Sequence, residues 1–416
     1  MNHYCALSMT KPVLCVGNLS MDIITICKEQ PEKGKENCSL ETHWQRGGHA
    51  SIVSFVLSLL NAQSEFLGML SRSPILSAII TEMQGKGIEM MHCPKTDEDP
   101  AFSTIIVSKK PHSSSVIHCN REFPYCRYKD FKQLDLSRFG WVHFEARNVI
   151  ETVQMVRAVL DYNNGKKERI LTSLRVNSGY HENKHLIDMC DFVLFSRQLA
   201  MQQGWQSARQ TCRQLDFDLR LPRLIHMKRP CFICSWGPKG AGCLTGEGVY
   251  HEMPPYKPQH IVDTHGAGAC FTAGFIYATY IRSMSLSDAV EFANRVAGHK
   301  ITDFGYNHIA KLNIYPIDVT KAADVDVPSA QYSEDSEAEA VICRKYLNRK
   351  INYSDGKYAS QLLENPFLNQ YAKPDADESS EKNIYPAYKS SMATMKSSLV
   401  SKSVQIKLKR NVSTPN

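Results

Sequence analysis

The sequence has no long hydrophobic run and no strong excess of one charge. No stretch approaches the roughly 18 consecutive apolar residues that a membrane-spanning helix needs. The first residues lack the basic segment, apolar core and small-residue cleavage site of a secretory signal. The net charge is only +7 over 416 residues, and Lys and Arg are scattered, which argues against a nucleic-acid surface. We therefore expect a cytoplasmic globular protein with no nucleic-acid partner and no membrane partner.

The chain also lacks an arrangement of cysteines that would indicate a metal or disulfide framework. Its 14 cysteines come without a secretory signal, so reduced thiols are expected. Cys231 and Cys234 have the spacing of a redox or metal motif, but no second pair lies nearby. Because Phe232, Ile233 and Trp236 are typical of a buried strand, a packing role is favoured for both thiols.

Short β-rich runs alternate with longer helical ones along most of the chain. This pattern predicts an α/β protein with a mostly parallel sheet and helices on both faces. The first strand is predicted within 11–19, a helix within 51–63, and the strongest helix within 268–282. Two segments, 23–46 and 101–119, instead have the pattern of strand, polar turn and strand. Since an isolated hairpin is marginal in water, we expect their apolar residues to be buried in a homodimer.

The composition changes near residue 320. The following stretch is acidic and poor in large apolar residues, and the last stretch is rich in Ser and Lys. Such segments cannot offset the entropy of ordering, so 320–416 is predicted to be mostly disordered. The domain organisation is then an extension at 1–11, a folded domain at 12–319 and a tail at 320–416.

A glycine-rich turn at residues 263–268 runs directly into the strongest predicted helix. The sequence DTHGAG leaves the backbone N–H groups of Gly266, Ala267 and Gly268 uncovered at the helix start. The aligned peptide dipoles favour negative charge at such an end, so the turn predicts a phosphate or other anion site.

Seven segments in order and in register resemble the ketohexokinase (fructokinase) group of the PfkB/ribokinase family of carbohydrate kinases. These segments are residues 12–24, 43–51, 56–68, 135–148, 191–197, 234–244 and 261–268. The resemblance implies a ribokinase-like three-layer sandwich over 12–319, with a small β-lid from about 23–46 and 101–119. It also implies ATP-dependent phosphorylation of a ketose such as fructose at the C1 hydroxyl, with ATP and Mg2+ as cofactors and a homodimer formed through the lid.

The family's general base is missing from this chain. In the family the turn reads D-T-x-G-A-G-D, and its last Asp takes the proton from the sugar hydroxyl, whereas this chain has Ala269 there. No catalytic residue is therefore intact. His265 and Cys270 are candidate replacements, since a helix start should lower the thiol pKa of Cys270. The family, however, has a small packed residue at the position of Cys270.

The residues that resemble the family's sugar pocket are partly replaced. Asp22, Gly48 and His49 are the candidate substrate-binding residues, and His49 replaces a family Asn. A second family Asn corresponds to Ile52, and a lid Asp corresponds to Gly34. Each lost hydrogen-bond partner should cost about 1–3 kcal/mol of binding free energy.

The residues that resemble the family's nucleotide site are also partly kept and partly replaced. The resemblance implies that two groups of residues contact the nucleotide. The first group consists of Gly237, Lys239 and Gly240 together with the turn residues Gly266, Ala267 and Gly268. The second group, Asn294 and Gly298, is implied to lie under the adenine. A phosphate-binding lid Arg of the family corresponds to Ser114 here, and Arg121 is not at the matching place. The acids that the family associates with magnesium correspond to Arg175 and Asn177, and a cation there opposes a metal.

Together these replacements predict a pseudokinase or a severely impaired enzyme that still binds a nucleotide or another anion. The alternative is an active carbohydrate kinase with a displaced base or an altered substrate. An unrelated activity of the tail or of Cys270 is a further alternative.

Overall fold

The computed structural model describes residues 10–110, 113–120, 123–176, 179–220 and 229–312. These ranges lie in one compact unit, residues 1–316. Arg121, Asn177 and the predicted disordered tail at 320–416 lie outside the described residues, as does most of the predicted extension at 1–11.

The strands within these ranges are two to ten residues long. They are β1 (Val13–Val16), β2 (Ser20–Glu29), β3 (Glu41–Gly47), β4 (Ser64–Leu67), β5 (Leu70–Ser71), β6 (Lys95–Thr96), β7 (Phe102–Lys110), β8 (Ser113–Cys119), β9 (Trp141–Glu145), β10 (Leu171–Val176), β11 (Phe192–Ser196), β12 (Cys231–Ser235), β13 (Ala241–Leu244) and β14 (Tyr250–Met253).

The helices connect these strands. They are α1 (His49–Leu59), α2 (Ser77–Gly85), α3 (Tyr128–Phe131), α4 (Val149–Asn163), α5 (Lys184–Met189), α6 (Arg197–Gln202), α7 (Ala208–Arg220), α8 (Ala267–Ile276) and α9 (Leu286–Lys300). Helix α9 shows why they form: Ser285 accepts a hydrogen bond from the backbone N–H of Asp288, and Val290, Phe292 and Val296 bury one face.

The main sheet has the order β14-β13-β12-β11-β10-β9-β1-β4 in the described part of the chain. Its strands from β4 through β12 are parallel to their neighbours, and β13 and β14 continue the sheet antiparallel. Parallel strands need crossover connections, and the helices provide them. The fold is therefore α/β and consistent with a ribokinase-like sandwich, as the sequence predicted.

Apolar side chains fill both faces of this sheet. One face packs against α1, α8 and α9 through Phe55, Phe271 and Phe275 among others. The opposite face packs against α4, α5 and α7, with Met155 and Leu215 in its core. A sheet buried on both faces explains why its strands are near-continuous hydrophobic runs.

The two strand–turn–strand segments form a separate sheet of order β3-β2-β7-β8 in the described residues. Strand β2 pairs antiparallel with β3 and parallel with β7. Asp22, the candidate substrate-binding residue, lies inside β2, opposite Gln45 on β3. The chain turns at residues 17–19 and enters this second sheet at once, which the sequence did not reveal.

The end of helix α8 differs from the prediction of one helix over 268–282. Regular α-helix ends at Ile276, and Tyr277–Ile281 form a π-helical turn. The prediction for Cys231 and Cys234 is confirmed, because both lie in β12 and Cys234 is fully buried. No helix among the described residues is long and apolar enough to cross a membrane.

Candidate functional site

A cavity of about 390 Å³ lies where the carboxyl ends of the central strands meet the second sheet. Strands β1, β9 and β10 end side by side at this edge, which is where open α/β sheets bind ligands. The cavity brings together nine positions singled out in the sequence: Asp22, Gly48, His49, Ile52, Arg175, His265, Gly266, Gly268 and Ala269.

Helix α1 begins at the cavity because only glycine tolerates the turn before it. Gly48 has φ of +86°, and a β-carbon on it would collide with the backbone oxygen of Asn18. Glu145, at the end of β9, holds this turn from the other side. Its Oε2 accepts hydrogen bonds from the backbone N–H of Asn18 at 3.1 Å and of Ala50 at 3.3 Å, and its Oε1 pairs with Arg147 at 2.7 Å.

Helix α8 also begins at the cavity after a glycine in the left-handed region. Gly266 has φ of +79°, and as the N-cap it makes no side-chain hydrogen bond to the first turn that follows. A fully buried Lys300 fixes the loop before it, because Nζ donates to Asp263 Oδ2 at 2.5 Å and to the Asp263 backbone oxygen at 3.1 Å. Asp263 Oδ1 in turn accepts from the backbone N–H of His265 at 2.9 Å.

Ala269 lies in the first turn of α8 and lines the cavity, with 3% of its surface exposed. Its methyl group can neither accept a proton nor bind a cation. Cys270, the next residue, is fully buried, and burial raises its thiol pKa to about 12. The expectation that the helix start lowers this pKa is therefore wrong, since desolvation of the thiolate outweighs the helix dipole.

Asp22 and His265 form a direct contact across the cavity. Asp22 Oδ2 lies 2.7 Å from His265 Nε2, although the two residues are 243 positions apart. Asp22 is 2% exposed, whereas a quarter of the His265 side chain is accessible. One oxygen of the candidate sugar-binding carboxylate is thus already engaged by an imidazole.

A positive group lies deep in the cavity wall. Arg175, near the end of β10, is 6% exposed, and burial lowers its pKa to about 10. Two buried histidines lie close by, with the rings of His49 and His143 centred 5.6 Å apart. Burial, followed by the charge of Arg175, lowers the pKa of His143 to about 3 and that of His49 well below its usual value. Both rings are therefore neutral at physiological pH.

The side chains present do not fit magnesium. Across the described ranges no group of three or more His, Cys, Asp or Glu is arranged to hold a metal ion. A guanidinium nitrogen of Arg175 lies 3.4 Å from the place that a β-carbon on Gly268 would take. Mg2+ requires oxygen ligands, and a buried cation next to the helix start repels it.

The other sequence-predicted positions do not line this cavity. Gly237 and Lys239 are exposed in a 3₁₀ turn, with the buried Gly240 after them. Asn294 donates to the backbone oxygen of Pro254 at 2.9 Å, and Gly298 packs directly under the ring of Tyr256. Ala267 belongs to the first turn of α8 but is not part of the cavity wall, and neither is Gly34.

Sequence reasoning missed several residues that line the cavity. Arg147 and Gln198 follow β9 and β11 on the main sheet, while Ser103 and His118 come from the second sheet and are 3.0 Å apart. Arg147 and Gln198 could have been predicted, because each is a polar residue that follows a buried strand. No pattern in the sequence reveals the register that pairs Ser103 with His118.

A larger cavity of about 880 Å³ lies along β5 and α2. It includes none of the sequence-predicted residues and no helix start of the kind formed by Gly266–Gly268. The smaller cavity is therefore the candidate site.

Comparisons with known proteins show similarity to carbohydrate kinases. A model of the pfkB family of carbohydrate kinases matches residues 219–311, which include the glycine-rich turn. The chain is 29% identical to mouse ketohexokinase over 302 residues, covering 72% of this chain and 99% of that protein.

Solved structures share the fold at low identity. A ribokinase from Arabidopsis thaliana, complexed with ribose and ATP, is 18% identical and covers 72% of this chain and 96% of its own, with a TM-score of 0.57. A Cryptococcus neoformans ribokinase in complex with ADP is 16% identical, with coverages of 72% and 97% and a TM-score of 0.58.

Proposed function

We propose that this chain is a ketohexokinase-like member of the PfkB/ribokinase family of carbohydrate kinases. On this premise, we propose that it binds a small ligand without efficient phosphoryl transfer. The observation that carries the proposal is Ala269 at the cavity-facing start of α8. The reaction needs a carboxylate or another base to accept the hydroxyl proton. The carboxylate that lines the cavity, Asp22, is paired with His265 instead.

The loss of reaction rate caused by Ala269 in place of the general base can be estimated. A positioned general base contributes roughly 10²–10⁴-fold to the rate. Arg175, at a position where the resemblance implies a metal-associated acid, adds a second loss, because its positive charge near the helix start repels a divalent cation. Turnover of fructose should therefore fall well below the usual lower range of enzymes, about 1 s⁻¹.

The test is ADP release by the purified full chain with ATP, Mg2+ and a panel of ketoses, aldoses and nucleosides. We expect turnover below about 1 s⁻¹ on every substrate. Ala269→Asp should raise the rate on fructose, and Ala310→Asp, an equal change at an exposed position, should not. Turnover at or above about 1 s⁻¹ by the unaltered protein would overturn the pseudokinase proposal.

One observation favours a second candidate, an active carbohydrate kinase with a displaced base. A histidine ring held by a carboxylate at 2.7 Å is a recurrent base arrangement, and His265 lines the cavity. In this case Asp22→Asn and His265→Gln would each abolish turnover, and the double variant would be no worse than either alone. Under the first proposal neither change alters a background rate.

The assembly proposed for the chain is a homodimer through the sheet β3-β2-β7-β8. Large apolar side chains on this sheet are exposed, namely Trp44 at 66% and Ile117 at 59%. We expect a dimer by sedimentation at micromolar concentration, and a shift to monomer in the variant Trp44→Ser with Ile117→Ser. Met91→Ser, at an exposed position elsewhere, is the control. A monomeric unaltered protein would contradict this assembly.

The remaining parts of the proposal concern location and nucleotide. We propose a cytoplasmic protein, which fractionation of cells expressing the tagged chain would test. We also propose that ATP or ADP contacts the helix start at Gly266–Gly268, because the N-cap Gly266 makes no side-chain capping hydrogen bond and a helix N-terminus suits phosphate, although the N–H of Ala267 already donates to the Thr264 oxygen at 3.4 Å. If neither nucleotide raises the melting temperature at millimolar concentration, nucleotide binding is refuted.

A further inference from the structure

His265 presents one ring nitrogen to the 390 Å³ cavity with its lone pair unused. The other nitrogen, Nε2, lies 2.7 Å from Asp22 Oδ2, and an ionised carboxylate can only accept hydrogen bonds. The contact therefore places the ring proton on Nε2 and, in the neutral ring, leaves the lone pair on Nδ1. Among the described residues Nδ1 makes no hydrogen bond, and 26% of the His265 side chain is accessible.

The His265 ring is fixed through both its side chain and its backbone. Asp22 is 2% exposed and belongs to β2, so the carboxylate that binds Nε2 is itself held in place. The backbone N–H of His265 donates to Asp263 Oδ1 at 2.9 Å, and the buried Lys300 holds Asp263 in turn. A side chain with a free lone pair, oriented by a fixed carboxylate, is the arrangement that nucleophilic catalysis requires.

The other two histidines of the cavity wall are arranged differently. His118 Nδ1 lies 3.0 Å from Ser103 Oγ, and His49 Nε2 is buried without a hydrogen-bond partner. Within the described ranges neither ring contacts a carboxylate. Of the three cavity histidines, His265 is therefore the one whose protonated nitrogen the structure fixes.

Positive side chains share the wall with His265. Arg147 and Arg175 both line the cavity, and Arg147 pairs with Glu145 at 2.7 Å. Phosphoryl transfer spreads negative charge over the oxygens of the transferred group, and fixed cations stabilise this charge in the transition state. The surroundings of Nδ1 therefore suit a phosphoryl group as the electrophile.

We infer that His265 is a site of covalent phosphorylation, with Nδ1 accepting the γ-phosphoryl group of a nucleoside triphosphate. The Nδ1 lone pair attacks the γ-phosphorus, so that the N–P bond forms while the P–O bond to the β-phosphate breaks. The nucleoside diphosphate leaves with the electron pair of that bond, and Asp22 takes the Nε2 proton, which keeps the ring neutral. This inference rests on the proposed function, since the donor is the nucleotide proposed to bind at Gly266–Gly268. Because Ala269 cannot activate an acceptor alcohol, the group stays on the ring and no sustained turnover follows.

The experiment incubates the purified full chain with Mg2+ and ATP labelled at the γ-phosphate, and measures protein-bound label after treatment with acid or alkali. We expect label that alkali leaves and acid removes, as a P–N bond requires, up to a single group per chain. Peptide mass spectrometry should place the group on His265, and 31P NMR should show the Nδ1 isomer, because Asp22 occupies Nε2. The absence of acid-labile label at millimolar ATP, label on another residue, or the Nε2 isomer overturns the inference.

Two variants and a matched control test the pair of Asp22 and His265. His265→Gln removes the accepting nitrogen and should abolish the label. Asp22→Asn keeps the shape, but its amide can donate to Nε2, which moves the ring proton to Nδ1 and blocks the lone pair. The rate of labelling should then fall at least about 10²-fold, the lower end of what a positioned proton acceptor contributes. The control is His260→Gln, at an exposed histidine outside the cavity, which should label like the unaltered protein.

Unchanged labelling of either His265→Gln or Asp22→Asn refutes the inference; should a variant not fold, the labelled residue and isomer in the unaltered protein decide alone. Failure here is distinct from failure of the proposed function. The ADP-release assay measures sustained turnover on added sugars, whereas the label measures a single transfer to the chain itself. If ATP raises the melting temperature but leaves no acid-labile label, the phosphohistidine is refuted and nucleotide binding stands.

Discussion

Lys300 and Asp263 provide the sharpest test of how the glycine-rich turn is held. Lys300 is fully buried, Asp263 is 3% exposed, and Nζ lies 2.5 Å from Asp263 Oδ2. Replacing Lys300 with Met keeps the methylene packing but leaves the carboxylate without its cation. Breaking a buried pair in this way costs about 3–5 kcal/mol of unfolding free energy.

This cost should appear as a fall in Tm of about 6–15 °C for a domain of this size. The double variant Lys300→Met with Asp263→Asn removes both charges and keeps an acceptor for the backbone N–H of His265. Because no unpaired charge is left buried, it should recover at least half of the loss. Lys311→Met, at an exposed lysine, is the matched control.

Thermal and urea unfolding of the four full-length proteins measure these differences. The reasoning is refuted if Lys300→Met lowers the free energy of unfolding by less than about 1 kcal/mol, or if the double variant is no more stable than the single one.

Three further predictions follow from the described geometry. Gly48→Ala should lower stability by about 2–4 kcal/mol, because φ is +86° and the β-carbon meets the Asn18 backbone oxygen; an unchanged Tm would contradict this. His143 has a folded-state pKa of about 3, so below pH 6.5 the unfolded chain binds a proton that the folded chain does not. The free energy of unfolding therefore decreases as the pH is lowered. Between pH 6 and 4 the free energy of unfolding of His143→Gln, measured by urea unfolding, should therefore fall less steeply than that of the unaltered protein, by up to about 1.4 kcal/mol per pH unit. Equal pH slopes for the two proteins would contradict the assignment. Iodoacetamide at pH 8 should alkylate the exposed Cys38 and leave Cys270 unlabelled in the folded protein, as peptide mass spectrometry would report; labelling of both at equal rates would contradict the burial of Cys270.

The parts of the fold that local chemistry determines could be predicted from the sequence. Buried β-branched runs gave the strands, and the glycines before α1 and α8 located the two helix starts that face the cavity. The absence of a carboxylate at position 269 was also readable directly, because it depends on one residue in a recognisable turn.

The contacts that give the cavity its character could not be predicted. Asp22 and His265 meet only because a strand of the second sheet lies against a loop 243 residues later, and neither register nor rotamer is encoded locally. The raised pKa of Cys270 has the same origin, since its burial depends on packing against residues distant in the sequence. For Arg175 the sequence predicted a conflict with a metal, but not its closeness to Gly268.

The contact between Asp22 and His265 makes ligand entry an exchange rather than a simple addition. A polyol that approaches Asp22 Oδ2 competes with an imidazole already bound at 2.7 Å, so its net gain at this oxygen is the difference between two similar hydrogen bonds. A neutral sugar therefore competes poorly with the protein's own side chain. A ligand that carries its own negative charge has no such competitor, because it can leave this pair intact.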